Sequence, residues 1–210
     1  MPFNAYIFDL DGTLLNTLPD LVRLTNMVLE ERGWPVRTRE EILSFVGNGG
    51  RVLLGRAAPS SAEASEIDDA FIRWKELYPT YGHALTKPYD GIPELLARLR
   101  AKGARLGVLS NKFDGATKQV IGEHFPNTFD IVRGESADTP RKPDPTGLLR
   151  MIDELGATIE TAVLVGDSTT DIATANAAGV ASIGVSWGYQ PRESLVAEGA
   201  QRIVETPSDI

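Results

Sequence analysis

Apolar residues follow two rhythms along this chain. Near the amino terminus, within Ala5-Tyr6-Ile7-Phe8-Asp9-Leu10-Asp11-Gly12-Thr13, Tyr6 to Leu10 is a short apolar run whose end carries two carboxylates, a glycine and a hydroxyl. An apolar run of this length suits a strand covered on both faces, as in a parallel sheet. After Thr13 the period becomes helical, with Leu18, Leu21, Val22, Val28 and Leu29 recurring along one face. Thr17-Leu18-Pro19-Asp20 supplies the start signals: a hydroxyl, an early proline, and an acid near the positive end of the dipole. Gly33 is a stop. Further helices are predicted over 39–46, 50–57 and 62–78, and no strand pattern returns until about Ala104. Residues 15–86 are far too many for an ordinary connection, so they read as an inserted helical domain.

From Gly91 strands and helices alternate. Helices are predicted over 92–102, 114–123, 145–155, 169–178 and 192–198. Strands are predicted over 104–109, 130–133 (a weak pattern), 162–165, 180–185 and 201–204. Alternation of this kind predicts an α/β fold: a Rossmann-like parallel sheet with right-handed crossovers and helices on both faces. Residues 1–14 and 87–210 would form this core, with 15–86 as a helical cap. Hinge-like chemistry, 12–16 and 87–91, flanks the insertion.

In open α/β sheets ligands bind beyond the carboxyl ends of the strands, so polar residues there carry the functional information. Asp9 and Asp11, two apart, would project to one side, and Gly12 lets backbone N–H groups approach an anion. A hairpin turn at Asp11-Gly12 is the plain alternative, but the helical pattern that follows does not suit it. Ser110-Asn111-Lys112 ends a second strand and offers a phosphate seat; the alternative is a polar turn with Asp114 capping the next helix. Lys142 lies in a proline-stiffened segment, Arg141-Lys142-Pro143-Asp144-Pro145. Taken alone it reads as a solvated lysine with Asp144 as a helix cap. Ser168 and Asp171 fit a capping box, which leaves Asp167 unexplained.

Together, Asp9, Asp11, Asp167 and Asp171 would converge at one sheet edge. Two carboxylates 4 Å apart repel by roughly 4 kcal/mol at an effective dielectric near 20. Either some are protonated or a cation sits among them. The donors are all oxygen, which matches Mg²⁺. Lys142 with Mg²⁺ would offset a phosphate dianion, so the set points to phosphoryl transfer. There is no cysteine and no P-loop, and His83 and His124 fall in no motif. An aspartate must therefore be the nucleophile, and an aspartate can form an aspartyl-phosphate.

Bulk properties narrow the partners. A formal charge of −8 argues against nucleic acid but allows a local anion site. No signal segment is evident, and no apolar stretch approaches the ~20 residues of a membrane helix. A soluble, cytoplasmic protein without membrane partners is expected, either monomer or homodimer.

The motifs Asp9-x-Asp11-Gly12-Thr13, Ser110-Asn111-Lys112, Lys142-Pro143 and Gly166-Asp167-x-x-x-Asp171 resemble, in order, the four motifs of the haloacid dehalogenase superfamily. The helical insertion resembles that of its capped members. Val46-Gly47-Asn48-Gly49, Asn111-Lys112, Gly166-Asp167-Ser168, Ala177-Ala178-Gly179 and Trp187-Gly188-Tyr189 are similar to phosphoglycolate phosphatases. The resemblance implies that Asp9 is the nucleophile and a Mg²⁺ ligand. It implies that Asp11 protonates the leaving alcohol, then activates water, with its backbone carbonyl on the metal. Thr13 and Ser110 would bind phosphate, with Asn111 nearby. Lys142 would neutralise developing charge, Asp167 would ligate the metal, and Asp171 would support it through water. Neighbouring negative charge is expected to raise the pKa of Asp11. In the insertion, Arg51 within Gly47-Asn48-Gly49-Gly50-Arg51 is a candidate for meeting a substrate carboxylate; the alternative is a solvated arginine in a helix–helix turn. The expected activity is Mg²⁺-dependent hydrolysis of a small phosphorylated metabolite, 2-phosphoglycolate foremost. Same-fold rivals are another phosphomonoesterase, a pyrophosphatase or a sugar-phosphate mutase; a non-catalytic binding module is the remaining alternative.

Overall fold

The computed structural model describes residues 3–210. In chain order its elements are β1 (Ala5–Phe8), β2 (Leu15–Asn16), α1 (Leu18–Glu31), α2 (Arg39–Phe45), α3 (Gly50–Ala57), α4 (Ala64–Tyr81) and β3 (Lys87–Pro88). There follow α5 (Ile92–Ala101), β4 (Arg105–Phe113), α6 (Asp114–His124), β5 (Ile131–Glu135), α7 (Thr146–Glu154) and β6 (Ala162–Gly166). The last are α8 (Thr169–Ala178), β7 (Ala181–Val185), α9 (Arg192–Ala197), β8 (Arg202–Val204) and a 3₁₀ turn, Pro207–Asp209. The chain divides into two compact units, Met1–Asn16 with Pro88–Ile210, and Thr17–Lys87.

The first unit is an α/β fold on a six-stranded sheet of order β5-β4-β1-β6-β7-β8. The pairings are parallel, with Ala5 in register with Arg105 on one side and Ala162 on the other. Alternation along β1 explains why its apolar run is unbroken. Tyr6 and Phe8 pack into one core layer with Leu95, Leu106 and Val120, whereas Ala5 and Ile7 pack into the other with Leu148, Met151 and Leu164. Burying each large side chain of this kind contributes roughly 1.5–3 kcal/mol. Strand order reverses direction at β1, because β4 and β5 lie to one side and β6, β7 and β8 to the other. Such a reversal opens a crevice beyond the strand ends, where ligands bind in open α/β sheets.

Two features of this unit differ from the sequence expectation. Strand β4 does not stop at Leu109 but continues through Ser110, Asn111 and Lys112 to Phe113, with a register shift between Leu109 and Phe113. Phe113 then takes the N-cap position of α6, so Asp114 does not cap that helix; its carboxylate accepts from the Gly134 N–H at 3.1 Å. The two-residue strands β2 and β3 also pair as a small separate sheet, too short to leave an alternation signal.

In the second unit α1 packs on α4, α3 on α4, and α2 on α3. Thr38 and Glu41 close a capping box at α2. Asp20, fully buried on α1, accepts from the Leu85 N–H at 2.8 Å and the Thr86 hydroxyl at 2.7 Å. Helix α4 runs past Tyr78, where the sequence predicts its end. Pro79 removes only its own donor, and the Gly82 N–H still reaches the Tyr78 carbonyl at 2.8 Å. Among the described residues no helix is long and apolar enough to cross a membrane.

Candidate active site

The Asp9 N–H donates to the Val165 carbonyl at 2.8 Å, carrying the β1–β6 ladder one residue beyond the strand. The chain then turns: the Leu10 carbonyl accepts from the N–H groups of Thr13, Leu14 and Leu15. Gly12 makes that turn at φ +88°, and a Cβ there would lie 2.2 Å from Asp167 Oδ2. Glycine is thus required both for its conformation and for its missing side chain.

At the end of β6, Asp167 is almost wholly buried. Its Oδ1 accepts from the Thr13 hydroxyl at 3.0 Å and its Oδ2 from the Tyr189 N–H at 2.7 Å. Asp171, fully buried, does two jobs. Its Oδ2 closes the capping box of α8, accepting from the Ser168 N–H at 3.1 Å and hydroxyl at 2.6 Å. Its Oδ1 takes Lys142 Nζ at 2.5 Å. Oxygens of Asp9, Asp167 and Asp171 lie within 4.8 Å of one another.

Lys142 is not a solvated lysine. It is buried, and Nζ also donates to Asp9 Oδ1 at 2.7 Å. Two charges on separate elements outweigh the cost of removing the ammonium from water. Its backbone is gripped by Asn111, whose Oδ1 accepts from the Lys142 N–H at 2.8 Å while Nδ2 donates to the Lys142 carbonyl at 3.0 Å. Asn111, expected near phosphate, thus has its carboxamide engaged by protein. Ser110 Oγ is buried and accepts from the Lys112 N–H at 3.2 Å. Lys112, likewise expected at a phosphate seat, is buried with Nζ 3.0 Å from Asp11 Oδ1. The carboxylate of Asp11 is therefore not one of the clustered three: the turn after Leu10 ends the extended geometry that would have kept it beside Asp9. Arg51 belongs to the helical unit, where Nε donates to Asp68 Oδ1 at 2.5 Å, so it is neither simply solvated nor unpaired.

Electrostatics follow from burial. Desolvation pushes the Asp9 carboxyl up to about 7, with Lys142 pulling it down and Asp171 and Asp11 pushing it up. Burial, then the charges of Asp9 and Asp171, raise Asp167 well above the carboxylate range against the two hydrogen bonds it accepts. Burial alone would lower Lys142, but Asp171 and Asp9 more than reverse this and hold it raised. When all three are ionised, the carboxylates facing one ammonium leave a deficit of two positive charges. A hard divalent cation meets that deficit, and the donor set is all oxygen. The residues fit such an ion.

A family description, haloacid dehalogenase-like hydrolase, matches residues 6–185. The chain belongs to that family. Among relatives of this hydrolase, a phosphoglycolate phosphatase from Rhodospirillum rubrum is 36% identical over 96% of this chain and 86% of its own length. An N-acetylmuramic acid 6-phosphate phosphatase from Pseudomonas aeruginosa is 30% identical over 100% of this chain and 94% of its own. Among solved structures, a provisionally named phosphoglycolate phosphatase from Lactobacillus delbrueckii subsp. bulgaricus superposes with a TM-score of 0.91 at 32% identity, covering 100% of this chain and 97% of that one. With these relatives the hydrolase is a phosphatase, acting on phosphoric monoesters.

Residue-by-residue reading did not foresee that the Thr13 hydroxyl serves Asp167, that Asn111 serves Lys142, or that Tyr189 supplies a backbone donor to the cluster. The only sequence signal for the last was the family-like Trp187-Gly188-Tyr189 segment.

Proposed function

We propose that this phosphatase hydrolyses a small phosphorylated metabolite, 2-phosphoglycolate foremost, through an aspartyl-phosphate on Asp9 and with Mg²⁺ as cofactor. One observation carries the reading: Asp9, at the sheet's reversal point, shares a buried cluster with Asp167, Asp171 and Lys142, while Asp11 stands in a separate pair with Lys112. Asp9 and Asp167, with the Asp11 backbone carbonyl, would hold Mg²⁺, which when bound would supply the missing positive charge for the three carboxylates and the phosphate. Asp171 would act from behind, its Oδ1 holding Lys142 and its Oδ2 capping α8.

A carboxylate oxygen of Asp9 attacks phosphorus. The bond to the substrate oxygen breaks, and Asp11 delivers its proton to that oxygen. Asp11, now a carboxylate, takes a proton from water as the water oxygen attacks the aspartyl-phosphate. The phosphorus–Asp9 bond breaks and inorganic phosphate leaves. Lys142, kept charged by its two carboxylate partners, offsets charge that grows on the phosphoryl oxygens. Two aspartates thus divide the work: one is held buried as nucleophile, the other half-buried to move protons. We assign the helical unit as a cap, with Arg51 as its carboxylate-recognising residue once released from Asp68.

The full-length relative acting on N-acetylmuramic acid 6-phosphate supports a second reading, a larger sugar phosphate. Phosphate release from a panel of 2-phosphoglycolate, N-acetylmuramic acid 6-phosphate, pyrophosphate and hexose phosphates, with Mg²⁺ or with chelator, separates the two. The highest kcat/KM on 2-phosphoglycolate, lost with chelator, is the expected outcome. Preference for the sugar acid would replace the substrate, and isomerised hexose phosphate without phosphate release would overturn hydrolysis.

A further inference from the structure

The segment after β7 reaches into the site with an indole N–H and a backbone N–H. The Trp187 indole N–H donates to the Thr13 carbonyl at 3.1 Å. Two residues on, the Tyr189 N–H donates to Asp167 Oδ2 at 2.7 Å. Because the Thr13 hydroxyl itself donates to Asp167 Oδ1, a closed loop of contacts holds both oxygens of one carboxylate. Between the two donors, Gly188 leaves the space Asp167 occupies: a Cβ there would lie 2.2 Å from Asp167 Cβ. The segment is pinned at each end. The Ser186 N–H and hydroxyl both donate to the Val204 carbonyl, at 3.0 and 3.2 Å. Gln190 Oε1 accepts from the Thr169 N–H at the start of α8, 2.9 Å away.

We propose that residues 186–190 are a positioning device for Asp167, fixing the direction in which its carboxylate presents to a divalent ion. This rests on the Mg²⁺ reading above. A carboxylate held at both oxygens cannot rotate about its terminal bond, so it stays within 4.8 Å of an Asp9 oxygen without a reorganisation cost when the ion arrives. Groups behind a metal ligand change affinity by about 10–100-fold when removed. Trp187 is the informative position, since its indole N–H donates to the Thr13 carbonyl and not to a carboxylate of the cluster.

The test is calorimetric titration of the metal-free protein with Mg²⁺ alone, for wild type, Trp187→Phe and Gly188→Ala, beside thermal melts in chelator. Trp187→Phe keeps the ring and loses the donor. It is expected to weaken Mg²⁺ binding about tenfold while the metal-free melt stays at the wild-type temperature. Gly188→Ala is expected to weaken binding further, because Asp167 must move. Wild-type Mg²⁺ affinity in Trp187→Phe would overturn the positioning role. Equal losses of affinity and of metal-free stability would also overturn it, by showing a structural contact only. Should Trp187→Phe lose its cooperative melt, Gly188→Ala decides by the same criteria. A wild-type protein that takes up no Mg²⁺ would instead overturn the metal reading, and this inference with it.

Discussion

The Asn111 carboxamide closes two hydrogen bonds on the backbone of Lys142, one to its N–H and one to its carbonyl, as a neighbouring strand would. On the proposed mechanism phosphate recognition would be indirect at this position, with Asn111 placing the residue that carries the charge. Asn111→Ala leaves a buried donor and acceptor unpaired, a cost of about 1–3 kcal/mol. It is expected to lower kcat well below wild type while changing the substrate KM much less. A kcat near wild type, measured by phosphate release at saturating Mg²⁺, would remove Asn111 from the machinery.

The two aspartates of the first motif are expected to fail differently. Asp9→Asn removes the proposed nucleophile and should reduce turnover to background. Asp11→Asn keeps the nucleophile but loses the proton carrier, worth about 10²–10⁴-fold. Phosphorylated protein caught by acid quench and mass spectrometry should appear with Asp11→Asn and be absent with Asp9→Asn. Normal turnover in the first variant would refute the covalent route.

The acidic cluster also makes stability depend on pH in an unusual direction. Asp9 titrates at about 7 in the folded chain, against roughly 3.9 when unfolded. Between those values the folded state holds a proton that the unfolded state has released, so stability falls as pH rises from about 4 to 7. Asp167 shifts the same way. Lys142, raised, keeps its contribution until well above this window. In chelator the melting temperature should be several degrees higher at pH 5.5 than at pH 8. Added Mg²⁺ should raise it more at pH 8, where fewer protons need displacing. A chelated protein equally stable at both values would contradict the raised carboxyls.

Asp20 offers a test confined to the helical unit. Its buried carboxylate accepts from the Leu85 N–H and the Thr86 hydroxyl. Asp20→Ala strands both donors and is expected to destabilise by about 2–4 kcal/mol. A chemical-denaturation midpoint matching wild type would show that water satisfies them.

Arg51 separates substrate choice from chemistry. Arg51→Gln should raise KM for 2-phosphoglycolate severalfold and leave KM for p-nitrophenyl phosphate, which lacks a carboxylate, unchanged. Equal effects on both would discard the assignment.

How much of this was open to the sequence depends on which force fixes each feature. The parallel sheet was legible because apolar runs and helical periods record burial directly, and β1 and β6 lie on such runs, each ending within two residues of the run's end. That two aspartates follow those ends is likewise a matter of counting. The direction of Asp11 was not legible, since it hangs on a turn made by three N–H groups converging on the Leu10 carbonyl. Lys142 misled when read alone because a lysine's burial is decided by partners distant in the chain, here Asp9 and Asp171. The extension of β4 through Ser110 and Lys112 was hidden for a related reason: polar residues in a strand look like its end unless their partners are known.

The central place of β1 has a consequence for synthesis on the ribosome. Its neighbours are strands beginning at Arg105 and Ala162, so β1, made before either, finds its place only after both have followed. Thr17–Lys87 has its whole sequence available long before then. The growing chain must carry β1 unpaired and wholly apolar until β6 emerges, which leaves that segment open to aggregation over the interval.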